Sequence, residues 1–453
     1  MEGRLFGTDG IRGKAGEKPL TLEFLERLGR LFSEHLPASG GDPASRSVLI
    51  GHDGRQSGET LAAALAGGLV RGGVPVDVVG LAPTPAVAYL TATGPYAGGV
   101  VISASHNPAE DNGIKLLGAD GCKLSDGKEL ALEEGMAGRE DLPDSAVPGT
   151  LRRTKGLVGD YMAWLRNEAF PDLELKGWRI LIDCANGAYS QLEPRILKAF
   201  GAEPVSIHNR PDGRNINRDC GSLHPELAAQ ETVRNRCRIG LSLDGDGDRG
   251  ILVDGQGRVL DGDLLLAGLA PHLAARDLLP ERTVVATVMS NMGLEKFLAK
   301  ERIRLERVAV GDRNVARAMR QNGWALGGEK SGHILFGEAH GFRGDGIYTF
   351  LRIAAALTAE GVEPLEFAAG YREFPQKLVS LPVVQRVPME KLPRLLAVES
   401  ELAREFGGTG RTVVRFSGTE LRIRLMVEAE SDPAVQAALH RLTQAAREDG
   451  ILA

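Results

Sequence analysis

The chain has 453 residues, of which 43% are apolar and 25% are charged, a composition typical of a globular protein with about three or four hydrophobic cores. Its 54 basic and 60 acidic side chains give a formal net charge of −6 without any long basic run, so we expect no nucleic acid and no membrane surface as partner. The four cysteines show no C-x-x-C spacing, which indicates reduced thiols rather than a disulfide framework or a zinc site.

Neither a signal peptide nor a membrane span is predicted. The first ten residues contain no apolar run, and no later stretch reaches the ~18 uncharged apolar residues that a span needs. We therefore expect a cytoplasmic protein.

A strand–helix–strand unit is predicted three times along the chain. Each unit starts with a short β-branched run, continues with a helical pattern and ends in a second apolar run. The first strands are predicted at residues 48–50, 179–182 and 283–288, the helices at 60–71, 192–200 and 293–300, and the second strands at 75–79, 204–207 and 305–310. The repetition predicts three similar α/β domains.

Each unit is followed by one more strand that runs directly into a polar loop. These strands are predicted at residues 99–102, 239–243 and 324–326, and the loops at 103–108, 244–249 and 327–333. Ligands of open α/β sheets bind beyond the carboxyl ends of the strands. Three such domains can therefore each direct one loop to a shared cleft.

The tail after about residue 370 has a different pattern. It predicts a strand (379–383), a helix (391–406), two strands (411–416 and 421–428) and a terminal helix. The predicted fold is thus α/β, with three similar mixed α/β domains and a smaller C-terminal α+β domain around a central cleft. The domains are predicted at 1–150 with a serine loop, 151–255 with a metal loop, 256–368 with a sugar-binding loop, and 369–453 with a phosphate-anchoring loop.

The loop after the second unit carries three aspartates at alternate positions, Asp244, Asp246 and Asp248. Their charges would repel one another when buried unless a cation lies among them, and hard oxygen ligands indicate Mg²⁺ or Ca²⁺. An EF-hand calcium loop does not fit, because Arg249 stands where that motif has glycine. The alternative is a solvated turn of a hairpin. Arg249 has the donor geometry to bind a phosphate oxygen.

Ser105 lies in the first loop, in the run Ser-His-Asn-Pro. By itself this run is unspecific, because an Asn-Pro turn capped by hydroxyl groups would look the same and the G-x-S-x-G pattern of hydrolases is absent. A metal loop and arginine-bearing loops in the same chain favour phosphoryl transfer, which depends on alignment and on charge neutralisation. We therefore predict that Ser105 carries phosphate.

Two further loops supply binding groups. The loop at 415–420 offers Arg415, Ser417, Gly418 and Thr419, and the next strand carries Arg424; guanidinium, hydroxyl and backbone N–H groups bind phosphate. The alternative is a β-turn with surface arginines. In the third loop, Glu329, Ser331 and His333 combine acceptors and donors for sugar hydroxyls with a group that exchanges protons near neutrality.

Together with the run Phe-Gly-Thr-Asp-Gly-Ile-Arg-Gly at 6–13, these loops resemble the α-D-phosphohexomutase family over essentially the whole chain. Residues 83–89, 183–188, 288–291 and 310–313 are most similar to its bacterial branch that acts on glucosamine phosphates. The resemblance implies that a phosphorylated Ser105 and the three aspartates bind Mg²⁺. It also implies these roles: transfer is supported by Arg12, Lys115 and His333, substrate is contacted by Arg249, Asp312, Glu329 and Ser331, and the non-transferring phosphate is held by Arg415, Ser417, Gly418, Thr419 and Arg424.

The activity implied by the resemblance is interconversion of glucosamine 6-phosphate and glucosamine 1-phosphate through a 1,6-bisphosphate, for amino-sugar and cell-wall precursor synthesis. A hexose 1,6-bisphosphate is the expected activator, a small sugar phosphate the expected partner, and a homodimer is possible in this family. A mannose or glucose phosphate mutase on the same scaffold, a non-catalytic sugar-phosphate binding protein and a magnesium phosphatase are the alternatives.

Lys330 departs from that branch, which usually has glutamine between the Glu and the Ser of the third loop. A second cation about 4 Å from a substrate ammonium costs ~1 kcal/mol in water and more in a closed cleft. The alternative expectation is that the ammonium group of Lys330 points toward a phosphate.

Overall fold

The computed structural model describes residues 4–7, 9–37, 47–138, 142–417 and 421–452. These residues form four sheets, each with its own helices, in chain order. Among the described residues, no helix combines the length and the apolar character that crossing a membrane requires.

The first sheet is mixed, with strand order β1-β5-β4-β2-β3-β6. Its central strands pair in parallel, whereas β5 pairs antiparallel with both of its neighbours. The strands are β1 (Ile11–Lys14), β2 (Ser47–His52), β3 (Val76–Leu81), β4 (Tyr96–Ile102), β5 (Asp111–Gly118) and β6 (Leu151–Arg153), and the helices are α1 (Leu22–His35), α2 (Gly58–Arg71), α3 (Thr84–Thr93) and α4 (Asp126–Gly138). Strands β2 and β4 are buried along their full length, as expected of parallel strands covered by helices on both faces.

The second sheet has the order β11-β10-β9-β7-β8, with β7, β8 and β9 parallel. Its elements are α5 (Val158–Trp164), β7 (Arg179–Asp183), α6 (Glu193–Ala199), β8 (Glu203–Ile207), α7 (Pro225–Arg234), β9 (Ile239–Leu243), β10 (Gly250–Asp254) and β11 (Val259–Leu260). The third sheet has the order β13-β12-β14-β15. Its elements are α8 (Gly262–Ala274), β12 (Thr283–Thr287), α9 (Met292–Lys300), β13 (Arg304–Val308), α10 (Asp312–Asn322), β14 (Leu326–Gly328), β15 (Ile334–Phe336) and α11 (Gly346–Glu360).

The fourth sheet is antiparallel, with the order β16-β18-β17. Its elements are β16 (Gln376–Pro382), α12 (Pro393–Phe406), β17 (Gly410–Phe416), β18 (Arg422–Ala429) and α13 (Asp432–Glu448). The helices pack on the sheet and build a separate apolar cluster that includes Leu395, Leu425 and Leu442.

One continuous hydrophobic core joins the second and third sheets, whereas the first sheet has a core of its own. Asp345 reinforces the shared core, since it caps α11 by accepting from Tyr348 N at 2.9 Å and also accepts from the hydroxyl of Tyr161 at 2.5 Å. The sheets that carry the metal loop and the sugar-binding loop therefore share one hydrophobic core.

The predicted fold class is confirmed, and most predicted strands agree with the structure within two residues. The third polar-loop strand lies at 326–328 rather than 324–326, because Trp324 is drawn into the core under α10. Two short strands, β6 and β11, pair with the sheets that precede the predicted boundaries at 150 and 255.

Candidate active site

The first three polar loops lie at the carboxyl ends of β4, β9 and β14 and contact one another. Ser105 Oγ donates to Asp244 Oδ2 at 2.6 Å, which joins the serine loop to the metal loop. Nδ1 of His333 lies 3.5 Å from Asp248 Oδ1, which joins the metal loop to the sugar-binding loop. The structure thus brings together the three loops that the sequence predicts to share a cleft.

The Ser105 backbone has a φ of 53°, which is a left-handed conformation. This conformation costs a non-glycine residue free energy and persists only where the surrounding structure holds it. Its N–H donates to Ser103 Oγ at 2.8 Å, and Ser103 Oγ donates to Asp53 Oδ2 at 2.6 Å. Its carbonyl accepts from Arg55 at 3.0 Å and from Asn217 Nδ2 at 2.8 Å. A largely buried frame from two domains therefore fixes the direction of the Ser105 side chain.

The three aspartates of the metal loop are buried, and each offers a carboxylate oxygen within 4.8 Å of the other two. Burial, together with the charges of Asp248 and Asp246, raises the pKa of Asp244 well above its usual range. Among the described residues, Asp246 Oδ1 has no hydrogen-bond partner. Crowded carboxylates with a spare buried oxygen fit a hard divalent cation, and Ser105 Oγ is close enough to join them as a ligand.

Lys115 and Arg12 approach this cluster from the first sheet. Lys115 Nζ lies 2.8 Å from Asp246, 3.0 Å from Asp248 and 3.2 Å from Asp9. Burial opposes the charge of Lys115, but these three carboxylates hold its pKa well above the usual range. Arg12 pairs with Asp9. Lys115 therefore contacts the metal loop directly, and Arg12 is connected to it through Asp9.

Two histidines differ in protonation at this site. His333 lies 3.5 Å from Asp248 and 3.7 Å from Asp312; burial opposes its charge, yet the carboxylates raise the pKa of His333 to about 9. His106 Nδ1 lies 3.2 Å from Ser105 Oγ, and burial with neighbouring arginines lowers the pKa of His106 to about 3. His333 is thus a cation at neutral pH, and His106 is neutral.

The sugar-binding loop keeps polar groups available. Ser331 Oγ is buried and has no hydrogen-bond partner among the described residues, while Glu329 Oε1 accepts from Gly311 N at 3.1 Å. The ammonium of Lys330 pairs with Glu373 and lies 3.7 Å from Asp261. Two carboxylates therefore balance the charge of Lys330 in this structure.

The fourth loop lies beside two arginines on neighbouring strands. Arg415 and Arg424 are cross-strand partners on β17 and β18, and Arg415 Nε has no hydrogen-bond partner in the described part of the chain. Like charges directly opposite one another destabilise a strand pair, so this pair fits an anion. Ser417 lies beside them and donates its N–H to the carbonyl of Arg422 at 2.8 Å. The predicted ligands Gly418 and Thr419 lie outside the described residues.

Buried polar contacts fix the fourth domain on the third. Arg411 donates to the carbonyls of Val288 at 2.9 Å and Ser290 at 2.6 Å. Glu428 accepts from the N–H of Met292 at 3.0 Å. These contacts involve the loop after β12, which leads into α9.

A cavity of about 630 Å³ opens beside the site between the first and third domains. Its inner wall includes Asp248, Asp312 and His333.

Residues that sequence reasoning missed also surround the site: Asp9, Asp53, Arg55, Thr84, Lys123 and Asn217. The run His-Asp-Gly-Arg at 52–55 follows a buried strand, as the predicted loops do, so it could have been identified from the sequence. No sequence pattern marks Lys123 or Asn217.

Profiles of the phosphoglucomutase/phosphomannomutase family match nearly the whole chain. Alpha/beta/alpha domains I, II and III match residues 3–142, 160–257 and 261–374, and the C-terminal domain matches residues 378–445. The chain belongs to this family. A phosphoglucosamine mutase of Lawsonia intracellularis is 43% identical over 440 residues, which are 96% of this chain and 96% of that protein. The predicted family and the predicted enzyme class, a phosphosugar mutase of the phosphoglucosamine mutase kind, are confirmed.

Solved structures of the phosphoglucomutase/phosphomannomutase family share the fold. A family protein from Burkholderia thailandensis superposes with a TM-score of 0.82 at 24% identity, covering 99% of this chain and 98% of its own. An Aspergillus fumigatus N-acetylphosphoglucosamine mutase, solved with GlcNAc-6P and magnesium, gives a TM-score of 0.67 at 18% identity and covers 99% and 96%.

Proposed function

We propose that the chain interconverts glucosamine 6-phosphate and glucosamine 1-phosphate, with Ser105 as the phosphate carrier. The observation that carries this proposal is the contact of Ser105 Oγ with Asp244 at 2.6 Å, inside a buried set of three carboxylates. A serine held in a left-handed backbone against a cation site is arranged for transfer of a phosphoryl group rather than for a turn.

Transfer from phosphorylated Ser105 breaks the bond between Oγ and phosphorus and forms a bond between phosphorus and a free sugar hydroxyl. The proton that the sugar hydroxyl loses is balanced by the one that Ser105 Oγ takes up, so that Ser105 ends as a hydroxyl. His106 Nδ1 lies 3.2 Å from Oγ and can hydrogen-bond to it. The product is the 1,6-bisphosphate, which returns its other phosphate to Ser105 after it has turned in the cleft.

Charge neutralisation comes from the chain's own cations. Lys115 and protonated His333 lie at the metal loop and Arg12 lies at the serine loop, and all three would stabilise the charge on the transferring oxygens. Asp244, Asp246 and Asp248 with a phosphoserine oxygen would hold Mg²⁺, whose chemistry is to draw off charge from the phosphoryl oxygens. We propose Mg²⁺ because the donors are all oxygen, and because the Aspergillus structure contains that ion.

At the far end of the substrate, Arg415 with Arg424, Ser417, Gly418 and Thr419 would anchor the phosphate that is not in transfer. Glu329, Ser331, Arg249 and Asp312 would contact the sugar and its phosphate. The spare hydroxyl of Ser331 and the unpartnered Arg415 Nε support these roles. The four domain ranges, a hexose 1,6-bisphosphate activator and a homodimer belong to the same proposal.

The test combines intact-protein mass with coupled assays. Incubation with glucose 1,6-bisphosphate is expected to add one phosphoryl group to the wild-type chain and to the control Ser400→Ala, whose hydroxyl donates only along α12, but none to Ser105→Ala. Glucosamine 6-phosphate should be the preferred substrate. A tenfold preference for mannose 1-phosphate or glucose 1-phosphate would overturn the amino-sugar assignment, and full activity of Ser105→Ala would overturn the carrier role.

A further inference from the structure

Six charged side chains form a closed ring of alternating sign at the junction of three domains. Asp9, Lys115 and Lys123 come from the first domain, Asp248 from the second, and Asp312 and His333 from the third. Around the ring, the successive distances are 2.5 Å for Asp9 to Lys123, 2.7 Å for Lys123 to Asp312, 3.7 Å for Asp312 to His333, 3.5 Å for His333 to Asp248, 3.0 Å for Asp248 to Lys115, and 3.2 Å for Lys115 to Asp9.

The ring is shielded from solvent, since the exposed fraction of its side chains runs from 0% at Lys115 to 18% at Lys123. Burying ion pairs contributes little net stability, because desolvation offsets the attraction, whereas removing one member of such a pair leaves an uncompensated charge. Stability alone is therefore a poor explanation for six largely shielded charges at one junction.

Two members have no role in the proposed chemistry so far, namely Asp9 and Lys123. Asp9 binds two of the three cations assigned to phosphoryl transfer, since Lys115 lies 3.2 Å away and Arg12 pairs with the same carboxylate. Lys123 binds Asp9 on one side and Asp312 on the other. Asp312 in turn faces Nε2 of His333.

We propose that Asp9 and Lys123 are positioning residues for phosphoryl transfer, which hold Arg12, Lys115 and His333 in register across the junction of the first and third domains. This inference rests on the proposed function. Lys123 is the decisive member, because two carboxylates share its single ammonium at 2.5 and 2.7 Å. Without that cation the two acids would repel one another, and Asp9 would no longer fix Arg12 and Lys115.

The experiment compares Lys123→Met, which keeps the stem and removes the charge, with Lys123→Arg, which restores a charge that can reach two carboxylates. Lys123→Gln is a second neutral variant in case the methionine variant folds poorly. The matched control is Lys128→Met, an exposed lysine five residues further along that also lines the cavity. Each variant is assayed for kcat and KM with glucosamine 6-phosphate, and for the rate of single-turnover phosphorylation of Ser105 by glucose 1,6-bisphosphate.

We expect the neutral variants to lose roughly 10–100-fold in kcat and in the phosphorylation rate, as is typical when a residue that orients catalytic groups is removed. KM should stay within about twofold, and Lys123→Arg should recover most of the loss. Wild-type kcat in both neutral variants, a change confined to KM, or an arginine variant no better than the neutral ones would each overturn the proposal. Absence of mutase activity in the wild-type chain would instead contradict the proposed function.

Discussion

Replacing Arg55 by lysine is expected to loosen the loop that carries Ser105. The Arg55 side chain is fully buried, and its Nε donates to Asp53 Oδ2 at 2.8 Å. The other acceptors of this guanidinium are the main-chain carbonyls of Ser105, Asn107, Pro108 and Asp111. One side chain therefore ties the whole serine loop to the carboxyl end of β2.

The magnitude follows from counting donors. Arginine has five N–H donors and lysine has three, so at least two of the five hydrogen bonds are lost in Arg55→Lys. A hydrogen bond from a charged donor contributes ~1.5–3 kcal/mol, which gives a loss of roughly 3–6 kcal/mol. That is a large part of the ~5–15 kcal/mol that stabilises a typical domain.

Hydrogen–deuterium exchange of residues 103–113, together with a urea unfolding curve, measures this loss. The control is Arg71→Lys, because Arg71 forms a pair with Glu26 at 2.7 Å but is 44% exposed, and exposed pairs contribute only ~0–1 kcal/mol. Equal exchange and equal unfolding midpoints in the two variants would refute the view that Arg55 holds the loop.

Three further outcomes are expected. Burial raises the pKa of Glu193 from 4.5 to about 7, so the folded state holds this proton more tightly than the unfolded state does, and stability should fall by about 3 kcal/mol between pH 5 and 8; urea curves of Glu193→Gln should lack this part of the fall. Lys330→Gln should change the preference for glucosamine over mannose phosphates by less than about threefold, because Glu373 and Asp261 already neutralise the ammonium; a tenfold change in the coupled assays would show that it does reach the substrate. Calorimetry should find Mg²⁺ binding at least about tenfold tighter to the Ser105-phosphorylated chain than to the unphosphorylated one, since a phosphoserine adds about two negative charges; equal affinities would count against the shared site.

The strands were predictable because their signal is local. The first strands of the three units are buried β-branched runs in the sequence and in the structure. Several helices lie outside the three predicted strand–helix–strand units. The physical reason why each was not predicted differs from helix to helix. Helix α1 carries readable signals, with Thr21 accepting from Phe24 N and buried Leu25 and Leu28 on one face, whereas α8 is buried on most sides and shows little amphipathic periodicity.

The polar loops of the candidate site were also readable, because acidic and hydroxyl side chains in a row at the end of an apolar strand are rare without a function. The groups that orient them were not. Lys123 and Asp312 are 189 positions apart, and Asn217 lies 112 positions from the Ser105 carbonyl that it contacts. Such partners depend on how whole domains dock, which local pattern does not specify.

The charge balance of the junction gives a reason why the bisphosphate intermediate of the proposed reaction would stay bound. With every carboxylate ionised, the site holds five acids, Asp9, Asp244, Asp246, Asp248 and Asp312, and five cations, Arg12, Lys115, Lys123, Arg249 and His333. A phosphoserine of about two negative charges and a divalent cation cancel when both are present. If the bisphosphate left before Ser105 regained phosphate, the cation would remain uncompensated in a buried site, which is electrostatically unfavourable. In the proposed reaction the site would therefore favour return of a phosphate to Ser105 over release of the intermediate.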